Sequence, residues 1–194
     1  MKHLSYVHGY APDEQKRLDD QARTLIPILH AGTSFEAGSL VLEAGCGIGA
    51  QTVALAQKNP DARFICIDIS SDSLHLAQAA VKKAGVRNVT FLKLDIFHSG
   101  FPTDSFDHVF VCFVLEHLPL PQMALSVLRD LLRPGGTITV IEGDHGSTFF
   151  HPRSNAAWKP IQCLVDLQAA MGGDGLIGRR LYPLLRDAGF VDVT

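Results

Sequence analysis

Three glycines, Gly45, Gly47 and Gly49, fall in the stretch LVLEAGCGIGAQT, where an apolar run gives way to a helical one. Glycine lets a backbone approach a ligand closely, and the start of the following helix offers N–H groups without partners of their own. Read as G-x-G-x-x-[GA], the string from Gly45 to Ala50 satisfies a dinucleotide fingerprint. Asp68 stands about twenty residues on, where a carboxylate takes ribose hydroxyls. That pattern alone fits NAD as well as any other nucleoside. Glu43, two residues ahead of the first glycine, tilts the choice: it would repel a pyrophosphate and attract a cationic ammonium or sulfonium group. Asp95 adds a third carboxylate, whose oxygens suit the exocyclic amine of adenine. A purely structural job for Glu43, bonding loop N–H groups, is a second reading and can coexist with the first. For Asp95 the alternative is a solvated loop residue.

A second group lies further along the chain. His117 follows the apolar run FDHVFVCFVLE, and Glu142, Asp144 and His145 stand in EGDHG. Histidine and carboxylate are the side chains that take a proton from a reacting group near neutral pH. His117, Asp144 and His145 are therefore the candidate bases. The plainer reading of His117 is a residue that caps or orients the loop before Pro119.

The elements that position these residues alternate. Residues 39–45, 63–69, 88–96, 106–116 and 136–144 read as strands; 50–59, 71–85 and 119–133 read as the helices between them, and RPGG as a turn. Strand–helix alternation implies right-handed βαβ units and a parallel sheet, an α/β, Rossmann-like, doubly wound fold. In such a sheet ligands lie beyond the carboxyl ends of the strands, which is where Glu43, Asp68, Asp95 and His117 fall. Residues 1–38 lack the alternation and form an N-terminal extension, with an amphipathic helix from Pro12 carrying Leu18, Ala22 and Leu25 on one stripe. The domain proper is expected over 39–194. Beyond the fifth strand come two helical stretches, 147–173 and 178–190. The final GFVDVT reads as the start of a sixth strand, so the sheet is expected to stop short of its last strands. That unfinished edge would invite self-association.

These segments, over roughly residues 39 to 145, resemble the class I S-adenosylmethionine-dependent methyltransferases, and the later segments its small-molecule and quinone-type branch. VLEAGCGIG is similar to the family's first motif, ICIDIS to the second, LDI to the third, FDHVFVCFVLEHL to the fourth and LLRPGGTITVIEGD to the fifth strand with its preceding turn. The resemblance implies a cofactor, S-adenosyl-L-methionine, whose product is S-adenosyl-L-homocysteine. It implies that Glu43, Gly45, Cys46 and Gly47 face the amino-acid end, that Asp68 and Ile69 hold the ribose, and that Leu74 packs on adenine. It further implies that Asp95 and Ile96 read the adenine edge, that the backbone at Cys112 and Phe113 faces the methionyl amine, and that Tyr10 belongs to a lid.

Composition narrows the partners. The formal charge is −3 and no Lys/Arg run exceeds two residues, so a phosphate-gripping basic patch is not written in the sequence and nucleic acid is not expected. No run reaches membrane-spanning length. The four cysteines are dispersed without metal-ligand spacing, which predicts reduced thiols, no metal and a cytoplasmic protein. Phe149, Phe150 and Trp158 are candidate walls of a small-molecule acceptor pocket, or simply core. The alternatives to a methyltransferase are an NAD(P)-dependent oxidoreductase using the same glycine loop and a nucleoside-binding domain without chemistry.

Overall fold

In the computed structural model, which describes residues 24–194, five strands form one all-parallel sheet in the order β3-β2-β1-β4-β5. The strands are β1 (Leu40–Ala44), β2 (Arg63–Asp68), β3 (Val89–Lys93), β4 (Phe106–Cys112) and β5 (Leu132–Ile141). Helices α1 (Thr52–Lys58), α2 (Ser71–Lys83), α3 (Pro121–Asp130), α4 (Asn155–Ala170) and α5 (Leu181–Asp187) complete the framework. The order reverses between β1 and β4, so the crevice at the carboxyl ends of these two strands is the natural binding position.

Side-chain alternation divides the core. Leu42 and Ala44 of β1 join Val109 and Val111 of β4 against Ala124, Leu125 and Leu128 of α3. Val41, Phe64, Cys66 and Phe110 point to the other face and pack on Leu55 and Ala56 of α1 and Leu74 of α2. Strands covered on both faces read as near-continuous apolar runs, which is why the alternation of elements was legible. Glu43 shares the second face with Val41, so the same alternation carries a carboxylate inside.

Several boundaries differ from the sequence reading. Strand four stops at Cys112 rather than residue 116, because Phe113 takes a left-handed φ of +57° and a 3₁₀ turn, Leu115–His117, follows. Strand five begins at Leu132: RPGG is not a turn before the strand but a bulge within it. Between the pairs Phe106–Leu132 and His108–Thr137, β5 carries more residues than β4, and Gly135 sits at φ +81°. The strand ends at Ile141, where Glu142 turns aside to accept bonds from the neighbouring loop. The helical stretch expected over 147–173 starts only at Asn155, where the Ser154 side chain accepts from Ala157 N–H as an N-cap. The second stretch divides into a turn, Ile177–Arg180, and α5. Residues 189–194 form no strand, and Asp192 has φ +52°. Of the expected N-terminal helix, residues 24–29 are helical; Tyr10, Pro12, Leu18 and Ala22 lie outside the described residues. Among the described residues no helix is long and apolar enough to cross a membrane.

Asp107 is half-buried at the start of β4. It accepts from Leu40 N–H at 2.7 Å and pairs with Arg133, stitching the starts of β1, β4 and β5. His30 is buried over Phe110, with Nε2 at 2.7 Å from Gln51 Oε1, and ties the segment before β1 to the start of α1.

Candidate active site

The three glycines of the loop after β1 do three different jobs. Gly45 (φ +78°) is hydrogen-bonded through its N–H to Ile67 O, and a Cβ there would meet Val114 Cγ2 at 2.6 Å. Gly49 (φ +80°) lets α2 pack: a Cβ would stand 3.0 Å from Ala77 Cα. Gly47 (φ +53°) has nothing within 4 Å of its Cβ direction. Its surroundings are open, and the left-handed φ is the reason for glycine. Backbone at Gly47 thus borders free space at the crevice, as a ligand-facing loop requires.

Asp68, at the end of β2, fixes that loop. Its Oδ2 accepts from Gly47 N–H at 2.9 Å and its Oδ1 from Ser70 N–H at 2.8 Å. Burial pushes its carboxyl up, against the pull of those N–H groups. Each oxygen retains a lone pair for a hydroxyl donor. Glu43 lies beneath, 3% exposed, and Oε2 accepts from Thr52 Oγ1 at 2.6 Å and Cys66 Sγ at 3.2 Å. Those partners are side chains, not the loop N–H groups of the alternative reading. Burial raises the Glu43 carboxyl to about 7, the two donors pull it down, and Asp68 adds a smaller upward push. Burial also pushes up the thiols of Cys46 and Cys112. The Gly47–Asp68 bond and the Glu43–Asp68 interaction bring the first-motif and second-motif residues together.

The remaining cofactor candidates spread along the same sheet edge. Ile69 is exposed beside Asp68, whereas Leu74 is buried in the core between β1, α1 and α2. Ile69, not Leu74, offers the apolar surface to solvent there. Asp95 caps the 3₁₀ turn Ile96–His98 through Phe97 N–H at 2.9 Å and lies 3.4 Å from His98 Nδ1; Ile96 is buried. Phe113, with its unusual φ, donates its N–H to Ile141 O at 2.9 Å. A left-handed non-glycine residue costs energy and marks a place where the surrounding structure imposes the conformation.

At the β4–β5 end the geometry sorts the three candidate bases. Glu116, 6% exposed, lies 3.4 Å through Oε1 from His117 Nε2 and 3.5 Å through Oε2 from His145 Nε2. Gln168 of α4, fully buried, donates Nε2 to Glu116 Oε2 at 3.3 Å. His117 and His145 therefore meet at one carboxylate. Asp144 does not join them. Arg179 grips it with Nε at 2.9 Å and Nη2 at 2.8 Å, and Gly146 N–H and Ser147 also donate to it. The Arg179 bonds hold its carboxyl below the usual range. Glu142 Oε1 accepts from Val114 N–H at 2.9 Å and Leu115 N–H at 2.7 Å, anchoring the turn that carries Glu116 and His117. Burial raises Glu142 to about 7. Glu116 and Gln168 were missed in the sequence. Glu116 had a weak signal, a carboxylate at the end of an apolar run; Gln168 had none, being separated from its partner by 52 positions. Phe150 and Trp158 pack edge to face at 6.1 Å, and Phe149 is exposed. Among the described residues no group of His, Cys, Asp and Glu has a metal-holding arrangement.

Residues 41–136, from β1 to the β5 bulge, match the methyltransferase domain family. A probable methyltransferase of Aspergillus luteorubrus, ltbC, is 30% identical over 164 residues, covering 77% of this chain and 55% of that protein. This chain belongs to the class I S-adenosylmethionine-dependent methyltransferases. Another relative in this family, demethylmenaquinone methyltransferase of Geobacillus stearothermophilus, is 28% identical over 117 residues, 60% of this chain and 50% of that one. The methyltransferase fold is shared with phosphoethanolamine N-methyltransferase 2 of Haemonchus contortus, solved in complex with S-adenosyl-L-methionine. The TM-score is 0.66 at 20% identity, over 89% of this chain and 37% of that one. The chain spans about half the length of the curated relatives it matches. Neither the oxidoreductase reading nor the non-catalytic one finds support among these relatives.

Proposed function

We propose that this chain transfers a methyl group from S-adenosylmethionine to a small-molecule acceptor inside the cytoplasm. The observation that carries the reading is the pairing of an open glycine-loop backbone at Gly47 with the carboxylates of Asp68 and Glu43 beside and beneath it. The residues fit a sulfonium nucleoside. Asp68 has acceptor capacity for ribose hydroxyls, Ile69 offers an apolar face for the base, Asp95 accepts from its amine, and Glu43 favours a cation over a pyrophosphate. When bound, S-adenosylmethionine supplies a methyl group on a positively charged sulfur. The chain's own contribution is alignment, the largest part of such a displacement, and proton removal where the acceptor starts protonated.

His117 is the proposed base, with His145 beside it at the same carboxylate. The relatives' names point to small acceptors, one of them a quinone precursor. The formal charge of −3 argues against nucleic acid. Four free thiols suit a reducing compartment. The test is methyl transfer measured alongside cofactor affinity in the parent and in His117→Ala. The parent is expected to form S-adenosylhomocysteine when an acceptor is present. The variant should keep its cofactor affinity and lose about 10²–10⁴-fold in single-turnover rate. An unchanged rate removes His117 from the chemistry.

A further inference from the structure

We propose that Thr52 and Cys66 are positioning residues for the cofactor: together they hold one oxygen of Glu43 and so tune the charge that the cofactor's cationic end meets. S-adenosylmethionine then displaces a proton from Glu43 as it binds. The proposal rests on the methyltransferase reading and deepens it, because two residues outside the glycines govern the electrostatics of that same site.

Glu43 stands on β1 with Cys66 of β2 and Phe110 of β4 as its register partners. Thr52 is the first residue of α1 and wholly buried. Hydroxyls at a helix start commonly bond the free backbone N–H groups there. No side chain caps α1 at Gln51, and the Thr52 hydroxyl goes to the carboxylate. Its branched Cβ restricts the direction in which that hydroxyl can point. Thr52 Oγ1 donates to Glu43 Oε2 at 2.6 Å and Cys66 Sγ to the same oxygen at 3.2 Å. Oε1 is left without a hydrogen bond among the described residues.

Hydrogen bonds to the ionised form favour it, and burial disfavours it. For Glu43 burial is the larger effect and lifts the carboxyl to about 7, while Thr52 and then Cys66 pull it back. The groups around it come from four sides. The thiols of Cys46 in the loop, Cys66 on β2 and Cys112 on β4 are pushed up by burial and stay neutral. His30, packed over Phe110, is pushed down mainly by burial, and Lys58 of α1 donates to the carbonyls of His30 and Ala31. Asp68, at the end of β2, adds a smaller upward push through its own charge. Glu43 is thus the carboxyl with a midpoint near neutral pH at this end of the crevice. A cation bound beside the open Gly47 backbone favours its ionised form, and the proton given up goes to solvent. Below the midpoint the ligand-free carboxyl is mostly protonated and binding releases that proton; well above it no proton is left to release.

Two measurements test this. Carbon-13 NMR of the glutamate side-chain carboxyls reads the Glu43 midpoint in the ligand-free protein, its signal assigned by its loss in Glu43→Gln. Thr52→Val keeps nearly the same shape without the hydroxyl and should raise that midpoint by about one to two pH units. Thr52→Ser should keep it, and Cys66→Ala should raise it by a smaller step. Calorimetry at pH 6.5, in buffers of different ionisation enthalpy, should count about 0.7 proton released per S-adenosylmethionine bound to the parent and none for Glu43→Gln. Thr52→Val should bind S-adenosylmethionine about tenfold more weakly than the parent at pH 6.5 and only about twofold at pH 8, because the ionised form is scarcer at the lower pH. A merely structural loss would be equal at both. A Thr52→Val midpoint unmoved from the parent, equal losses at the two pH values, or binding to the parent with no proton released overturns the proposal. Should Thr52→Val fail to fold, an unmoved midpoint in Cys66→Ala overturns it instead. Failure of S-adenosylmethionine to bind the parent would overturn the proposed function, and the ligand-free midpoints would still decide whether Thr52 and Cys66 set the charge of Glu43.

Discussion

Both ends of the crevice are built on buried carboxylates, and the two ends hold them by different means. At the β1–β2 end, Glu43 is held by a threonine hydroxyl and a cysteine thiol, and Asp68 by N–H groups of the loop it shapes. At the β4–β5 end, Glu142 takes the N–H groups of a 3₁₀ turn, and Glu116 takes a buried amide and faces two histidines. Burial raises the Glu43 carboxyl to about 7, its two neutral donors offset that only in part, and a cationic ligand would favour the charged form. At the other end Glu116 instead stands between two histidine rings and a buried amide.

The sharpest break of the first end comes from its glycines. Gly49→Ala places a Cβ 3.0 Å from α2 backbone at a left-handed φ, combining strain with overpacking. A loss of about 3 kcal/mol in unfolding free energy is expected by denaturant titration. Gly47→Ala meets no atom and should lose only about 1 kcal/mol, the cost of the left-handed φ. Equal losses at the two positions would mean that packing against α2 does not decide the loop's shape.

Asp68→Ala follows in size. Cofactor affinity should fall by about 2–3 kcal/mol through loss of a charged acceptor, with Asp68→Asn milder. Because Gly47 and Ser70 lose their acceptor too, thermal stability of the ligand-free protein should fall with it. Unaltered affinity in calorimetry would move the ribose site away from β2.

Glu43→Gln separates the two ends by their pH response. The Glu43 carboxyl is raised from 4.5 to about 7, so the folded protein binds more protons than the unfolded chain between those values. Its contribution is present in full below about pH 4.5 and is lost as pH rises through about 7. Glu142 follows the same sign, and His30 and His108, both lowered mainly by burial, oppose it on acidification. Above pH 7, Glu43→Gln should therefore stabilise the ligand-free protein by about 2 kcal/mol and weaken cofactor binding. Melting curves across pH 4.5–8 check this; a variant whose slope matches the parent would show that Glu43 titrates as an ordinary surface carboxylate.

The two ends also differ in how far the sequence revealed them. Glu43, Gly45, Gly47 and Gly49 lie within seven positions and Asp68 follows one βαβ unit later, so local spacing exposes these residues, though not Thr52 and Cys66 as the partners of Glu43. The β4–β5 end is assembled from residues near 116, 142 and 168, which only the fold brings together. Candidate histidines could be named from their place after strands, but their shared carboxylate could not. Asp144 illustrates the limit: its type and position suggest a base, and only Arg179, 35 positions away, reveals its structural commitment. Leu74 shows a different limit, since an apolar residue at a helix start reads alike whether it faces a ligand or the core, and here it is 5% exposed.

The central claim, that the β1–β2 end is built for a sulfonium nucleoside, is tested most directly by isothermal calorimetry of the chain against S-adenosylmethionine, S-adenosylhomocysteine and NAD. The account predicts micromolar binding of the first two, roughly −8 kcal/mol, and no heat with NAD. Binding of NAD, with no heat from either sulfur nucleoside at millimolar concentration, would contradict it.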